Sequence, residues 1–339
     1  MVLSGLVLVL GGSTALATAT APAKSATIRV IVVQRTGSVS PGATSPVSVL
    51  CPKAYTAISW GFQAITPVQG KWLAPTYVSA QPIVRKTGGL VGWTARFRNT
   101  NAVPLGVRVG ATCAEGQGIT IRTAGSRAPA SAAGGEGLTM RFVRVRAEVE
   151  PGDTRTLKAF CPPNTTYFGW GHDLSVSTML YDRSIIGQPM GWEMEVVNRS
   201  EFTATVSLIL VCAEAEGVKI GVTGGSATRS GNVVLDVATT QTLTVPTSGS
   251  AFFFECLKGV NVGIAYSPST GPSTLPPRLG TWYHRPVAPG SETLNPKQRT
   301  IAFVGGAGEA SVQLRPLCLK TNAGFSVPKP GTIDLKLRY

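Results

Sequence analysis

The amino-acid sequence predicts an all-β protein built from antiparallel β-sandwiches. The chain of 339 residues contains 39 Gly and 24 Pro, spread along its length, which interrupt it too often for long helices. Between them, short segments place an apolar group at every second position or form β-branched runs, as strands do. Hydrophobic residues make up 43% and charged residues 14%, so the chain can fill packed cores and is not disordered. Its length fits two or three domains.

A sequence repeat divides the chain. Two segments share the order Cys-Pro, Trp-Gly, Gly-Trp, Asn and Cys-Ala-Glu, one from Cys51 to Cys113 and one from Cys161 to Cys212. In both, nine positions separate the first Cys from the first Trp, and twenty separate the second Trp from the closing Cys. The other matched residues are Trp60, Trp93 and Asn99 in repeat one and Trp170, Trp192 and Asn198 in repeat two. Paired cysteines on an early and a last strand, with a buried Trp nearby, are typical of immunoglobulin-like sandwiches.

A third repeat is more divergent, and the cysteines support it. Cys256 and Cys318 are 62 positions apart, as in repeat one, but Gly-Trp and Asn are missing, and Tyr266 and Trp282 are the nearest stand-ins. The six cysteines contain no C-x-x-C pair, which disfavours zinc and thioredoxin-like redox chemistry. They allow fifteen pairings, and the simplest keeps each disulfide inside one repeat. That pairing is Cys51–Cys113, Cys161–Cys212 and Cys256–Cys318. The sequence therefore predicts three tandem immunoglobulin-like sandwich domains with one disulfide each.

The repeat resembles tandem Cys-pair, Gly-Trp repeats of many secreted bacterial proteins, notably of actinobacteria. The order C-P, W-G, G-W, N and C-A carries this resemblance, which covers the first two repeats well and the last third of the chain poorly. It implies an exported β domain with one disulfide. It implies almost nothing about activity, because those proteins are mostly uncharacterised.

Domain boundaries follow from the repeats and from small-residue linkers between them. Residues 1–22 are expected to be a signal peptide or a retained apolar assembly segment, because a short apolar run precedes Ala-Leu-Ala. We expect sandwiches over residues 23–123, 136–222 and 232–339, the last with an extra C-terminal strand over 332–339. The apolar run is too short to span a bilayer, so no transmembrane span is expected. The expected location is secreted, extracellular or at the cell surface.

Charge is distributed unevenly. The net charge of +14 is the sum of +11 for residues 1–135, −3 for residues 136–225 and +6 for residues 226–339. A basic module beside an acidic one favours contacts between copies of the chain, in a homo-oligomer or homopolymer, and the basic regions favour anionic wall polymers. The alternative is that the charge only maintains solubility. The basic residues are scattered through strands without a nucleic-acid-binding motif, which disfavours specific nucleic-acid recognition.

The last segment resembles the opening strand of a fourth repeat. Each repeat opens with a β-rich segment, at residues 27–33, 138–145 and 232–237, and T-I-D-L-K-L-R-Y follows repeat three. Ile333, Leu335, Leu337 and Tyr339 alternate onto one face of it. It is either the last strand of the third sandwich or an assembly strand that pairs with the sheet edge of a neighbouring molecule. A head-to-tail contact that does not close would produce a filament.

The residues that could carry chemistry are few. His172 precedes Asp173, but adjacent residues on a strand face opposite ways, and no nucleophile motif accompanies them. His284 is expected in a surface loop. Glu193 and Glu195 are predicted on the same face of a strand. We expect that face to be exposed to solvent rather than to carry the carboxylate pair of a glycosidase. With two His and no phosphate-binding, dinucleotide or EF-hand motif, we expect no enzyme, no cofactor and no metal.

The aromatic residues suggest two roles. The four repeat-fixed Trp residues are expected in the cores. Trp72, Tyr77 and Trp282 break the repeat and are candidate recognition residues that could stack on sugars. We expect a non-enzymatic structural subunit of an extracellular or cell-surface assembly, such as a filament or sheath. The alternatives are a protein that binds glycans or cell-wall polymers, and a virion structural protein.

Overall fold

A computed structural model shows an all-β chain with three disulfides. It describes residues 25–65, 67–68, 71–72, 76–86, 89–123, 137–163, 165–174, 179–185, 191–216, 220–223, 231–269, 278–289, 291–304 and 308–338. These residues form strands, turns and loops and contain no helix. The segment at 1–22 and most of both linkers lie outside them. The disulfides join Cys51 to Cys113, Cys161 to Cys212 and Cys256 to Cys318, which confirms the predicted pairing.

The strands follow the order of the repeats. Repeat one contains β1 (Ser25–Val39), β2 (Thr44–Leu50), β3 (Thr56–Ala64), β4 (Pro67–Val68), β5 (Lys71–Trp72), β6 (Thr76–Val84), β7 (Leu90–Arg98), β8 (Leu105–Gln117) and β9 (Thr120–Thr123). Repeat two contains β10 (Gly137–Val149), β11 (Thr154–Phe160), β12 (Thr166–Leu174), β13 (Met179–Ile185), β14 (Gly191–Val197), β15 (Ala204–Glu216) and β16 (Ile220–Thr223). Repeat three contains β17 (Val233–Val237), β18 (Gln241–Val245), β19 (Ser250–Glu255), β20 (Val260–Ser269), β21 (Arg278–Pro286), β22 (Leu294–Val304), β23 (Ala310–Thr321), β24 (Phe325–Ser326) and β25 (Thr332–Arg338).

Each repeat pairs its strands in the same way. The opening strand pairs with the closing strand, which also pairs with the strand that follows the first cysteine, as in β1–β8–β3, β10–β15–β12 and β17–β23–β20. The remaining strands form β2–β7–β6, β11–β14–β13 and β19–β22–β21. Tight turns at Gly42 (φ 70°) and Gly152 (φ 82°) connect the first two strands of repeats one and two, as the sequences Pro41-Gly42 and Pro151-Gly152 predict.

An identical irregularity marks all three repeats. The pairing register shifts by one residue at Ile58, at Phe168 and at Val262. Repeat three therefore follows the pattern of the others, which also shows which residues correspond. Ile264 occupies the place of the first repeat-fixed Trp, two positions beyond the shift. The suggested stand-ins Tyr266 and Trp282 are therefore wrong.

The second repeat-fixed Trp also has an unexpected counterpart. In the sheet, Trp93 lies opposite Val49 and Trp192 lies opposite Ala159. Val49 and Ala159 each stand two positions before the first cysteine of their repeat. The residue opposite Phe254, at the same position of repeat three, is Arg299. A guanidinium therefore stands where the other repeats place an indole.

The repeats close into a ring. The tail of repeat one, β9, pairs in parallel with β10, and the tail of repeat two, β16, pairs in parallel with β17. The last strand, β25, pairs antiparallel with β1 and so joins repeat three to repeat one. At the same junction β21 pairs with β3, and β6 and β13 make the equivalent contacts with β12 and β20. One continuous apolar core runs through all three repeats.

All three repeats have the same orientation relative to the axis of the ring. The two faces of the ring therefore differ, and we call them the disulfide end and the asparagine end. The disulfide end contains the described residues of the loops after the first cysteines (51–55, 161–163, 165 and 256–259), of the loops after β6 and β21 (85–86, 89, 287–289 and 291–293) and of the nearby turns (117–119 and 322–324). The asparagine end contains the turns and loops at 40–43, 99–104, 150–153, 198–203, 246–249 and 308–309. This shared orientation follows from two pairings between repeats. β9 of repeat one runs parallel to β10 of repeat two, and β21 of repeat three runs antiparallel to β3 of repeat one.

Candidate functional site

The C-terminal strand occupies the edge of β1 in its own chain. Ile333, Leu335 and Leu337 are at most 1% exposed, and Tyr339 lies outside the described residues. The seven-residue register runs from Ser25 opposite Arg338 to Ile31 opposite Thr332. The sequence suggested pairing within sandwich three or with a neighbouring molecule; β25 instead joins repeat three to repeat one. The alternation of apolar and polar residues predicted which face of β25 is buried. It did not predict that β25 would pair with β1, because that pairing is made by backbone hydrogen bonds.

An ion pair fixes the orientation of β25. The Arg29 guanidinium donates to both carboxylate oxygens of Asp334, at 2.9 Å from Nε and 3.0 Å from Nη2. This bond raises the pKa of Arg29 above its usual range, chiefly through the hydrogen bond and secondarily through the charge of Asp334. A bidentate pair is geometrically specific, so it favours the observed register over a slipped one.

Tryptophans fill the junction between repeats one and two. Trp60, Trp93 and Trp170 are at most 1% exposed, as expected for core residues. The Trp60 ring stacks on Trp93 with centroids 5.8 Å apart, and its Nε1 donates to the Trp170 carbonyl oxygen at 2.6 Å. A Cβ added at Gly171 would lie 3.0 Å from the Trp93 ring and 2.4 Å from the Ala80 carbonyl oxygen. The indole of repeat one thus packs into a glycine cradle on repeat two.

The junction between repeats three and one is polar instead. Arg299 is 0% exposed, and its guanidinium donates to the Trp60 carbonyl oxygen at 3.0 Å, to Thr112 Oγ1 at 3.1 Å and to Ser59 Oγ. In repeat two, Gly169 and Val211 stand at the places of Ser59 and Thr112. Burial lowers the pKa of Arg299 to about 9. The polar residues of the two repeats therefore complement each other at this junction.

His284 belongs to this polar junction, so its predicted place in a surface loop is wrong. It lies on β21 and is 3% exposed. Its Nδ1 donates to the carbonyl oxygens of Asn295 and Gln298, both at 3.2 Å, which leaves Nε2 to accept from Arg299 at 3.0 Å. Burial, and secondarily the charge of Arg299, keeps the pKa of His284 well below its usual value. The sequence offered no signal for this burial, because the surrounding groups come from two repeats.

His172 is a neutral core residue. It is 0% exposed and stacks on Trp170 with ring centroids 5.8 Å apart. Burial lowers its pKa to about 3, against a hydrogen bond with the Val78 backbone that acts in the opposite direction. The register places His172 where repeat one has Phe62. This environment suits packing between repeats rather than proton transfer with solvent.

The paired carboxylates do not form an isolated acidic site. Glu193 is 8% exposed and forms an ion pair with Lys158 at 2.9 Å, whereas Glu195 is exposed. Among the residues that the structure describes, no group of three or more His, Cys, Asp or Glu could hold a metal ion. In the same part of the chain, no helix is long and apolar enough to cross a membrane.

The repeated asparagine has a structural role that sequence reasoning missed. Asn198 is 0% exposed, and its Nδ2 donates to the carbonyl oxygens of Val149 and Phe202, both at 2.8 Å. Asn99 makes the same contacts with Val39 and Val103, at 2.9 and 2.7 Å. The side chain therefore ties a loop at the asparagine end to the preceding turn in both repeats. Its fixed spacing from the closing cysteine was the available signal.

The candidate recognition aromatics are placed only by their backbone. Trp72 lies on β5, Tyr77 on β6 opposite Phe97, and Trp282 on β21 opposite Phe62. Their side chains lie outside the described residues, so their role as recognition residues stays a prediction.

Comparison with known proteins adds no family to these observations. No protein-family model matches the chain, and no curated protein matches it. The resemblance to secreted bacterial repeats thus stays an expectation from the sequence.

Proposed function

We propose that the chain is a secreted, non-enzymatic structural subunit of an extracellular or cell-surface assembly, such as a filament or sheath. The observation that carries this proposal is the closed ring, in which β25 covers the edge of β1 and joins the two ends of the chain. Covering that edge with a strand of the same chain blocks uncontrolled edge-to-edge pairing. Three disulfides and one continuous apolar core support its use as a stable building block.

The finer architecture of this proposal is three immunoglobulin-like domains. Two antiparallel sheets in each repeat, a disulfide between an early strand and the closing strand, and buried Trp in repeats one and two support it. Secretion is supported by the three disulfides, which persist in oxidising compartments.

The closed ring changes how copies would join. Head-to-tail strand addition between copies would require β25 to leave its own β1 and expose Ile333, Leu335 and Leu337. Removing three fully buried aliphatic side chains from their core costs several kcal/mol, at about 1.5–3 kcal/mol each. We therefore propose the closed ring, rather than an opened chain, as the building block.

The test is electron microscopy of the native protein beside a variant whose ring is locked. Thr27 lies directly opposite Lys336, so Thr27→Cys with Lys336→Cys would place a disulfide between β1 and β25. We expect ordered assemblies from both proteins, and from Lys336→Ala as the control. Assemblies from native protein but not from the locked variant would show that β25 is exchanged between copies.

Dispersed monomers in every sample would contradict a structural subunit. Binding of glycans or wall polymers would then be the preferred function. Replacing Trp72 or Trp282 by Ala should abolish that binding.

A further inference from the structure

The two ends of the ring carry opposite charge and exposed apolar residues, and we infer that the ring stacks end to end on a second copy of the same chain. This inference rests on the proposed function, because it names the surfaces and the partner through which such a subunit would assemble.

The disulfide end is basic. Among the described side chains, its loops carry four exposed cations, Lys53, Arg85, Lys86 and Lys258, against one exposed carboxylate, Glu292. Glu255, beside Cys256, forms an ion pair with Lys297 at 3.2 Å. Arg338, exposed at the end of β25 where that strand meets Ser25, adds a fifth positive charge. The repeat-wide charge totals conceal this local excess, since they mix both ends of each repeat.

The asparagine end is acidic. Its described loop residues include four exposed carboxylates against one exposed cation, Arg199, and exposed Arg98 at the end of β7 adds a second cation. The carboxylates belong to Glu150, Asp153, Glu201 and Glu309. Three of them lie in repeat two, which explains why that repeat alone is net negative.

Exposed apolar side chains also lie at both ends. At the disulfide end each repeat exposes one beside its first cysteine: Leu50 at 57%, Phe160 at 38% and Leu257 at 77%. At the asparagine end, Phe202 is 71% exposed and Val103 is 36% exposed. Apolar residues within complementary charged surfaces are the composition expected of a protein–protein contact.

The asparagine-end loop is held in position before binding. Asn198 binds the Phe202 carbonyl oxygen at 2.8 Å, and Thr203 donates to the Glu150 carboxylate at 2.7 Å. Because these bonds already order the loop, docking Phe202 loses little conformational entropy.

End-to-end contact between unlike ends is heterologous and open. Two disulfide ends would repel each other, as would two asparagine ends, whereas a disulfide end attracts an asparagine end. The two surfaces face opposite directions along the axis of the ring. Each added copy therefore leaves one end free to bind the next copy, and the assembly does not close on itself. Such a stack is a filament in which every β25 remains in its own ring.

Charge reversal at each end tests this inference. Lys53→Glu, Lys86→Glu and Lys258→Glu together make both ends acidic, and Asp153→Lys with Glu201→Lys makes both ends basic. Each of these two charge variants should raise the concentration needed for assembly about tenfold or more, measured by light scattering and electron microscopy at low ionic strength. An equimolar mixture of the two should restore assembly, because unlike ends then meet again. Arg96→Glu, on the exposed outer face of β7, should assemble like wild type.

The outcomes separate the two proposals. Wild-type protein that stays monomeric at every concentration would overturn the structural subunit and the stacking together. If wild type assembles and both charge variants assemble equally well, stacking alone would be overturned. Equal loss in Arg96→Glu, or no recovery in the mixture, would also overturn stacking, because the effect would then not depend on the ends.

Discussion

Replacing His172 by Phe should make the protein more resistant to acid. The substitution inserts the side chain that repeat one carries at the equivalent place, Phe62, so the packing is close to one that the ring already uses. In wild type, burial holds the pKa of His172 at about 3, against 6.5 for an exposed histidine. The unfolded chain therefore binds a proton below pH 6.5 that the folded chain does not bind until about pH 3.

The size of the effect follows from this difference. Each pH unit over which only the unfolded state is protonated lowers the free energy of unfolding by about 1.4 kcal/mol. His172 should thus cost wild type about 2 kcal/mol at pH 5 and about 5 kcal/mol by pH 3, relative to pH 7. All other ionisable groups are the same in both proteins, so their contributions cancel in the comparison.

The assay is denaturant unfolding of wild type and His172→Phe, followed by Trp fluorescence at pH values from 7 to 4. The stability of the variant relative to wild type should rise steadily as the pH falls below 6.5. A difference that stays constant across this range would refute the reasoning, because His172 would then be protonated equally in the folded and unfolded states.

Three further substitutions test the junctions and the loops by thermal or denaturant unfolding. Arg299→Met should lower the free energy of unfolding by about 3 kcal/mol, because the polar groups of repeat one lose a buried charged donor; an unchanged stability would contradict the polar junction. Gly171→Ala should lower the Tm, since its Cβ would lie 2.4 Å from a backbone oxygen, whereas Gly110→Ala, with its nearest neighbour at 3.5 Å, should be close to neutral. Asn198→Ala should cost about 1–3 kcal/mol by leaving buried backbone carbonyls without their donor, and a loss below 0.5 kcal/mol would count against that role.

Local pattern was sufficient to locate strands and cysteine partners. The β-rich segments that open the first two repeats lie within β1 and β10, the third, at 232–237, begins one residue before β17, and the Pro-Gly sequences lie in turns. The disulfides followed from the repeat because each pair closes the same motif. Alternation also identified the buried face of β25, since a strand places successive side chains on opposite faces.

Tertiary structure decided what lies across each junction. Neither the antiparallel pairing of β25 with β1, about 300 residues away, nor Arg299 in the place of a tryptophan could be derived from a single segment. Strands pair through backbone groups that nearly every residue carries. A sequence therefore shows which face of a strand is apolar but not which other strand it will pair with. The burial of His284 follows from the same cause, because its partners come together only when the ring closes. The sequence by itself thus determined the repeats and their internal order, and the closure of the ring determined the environment of the junction residues.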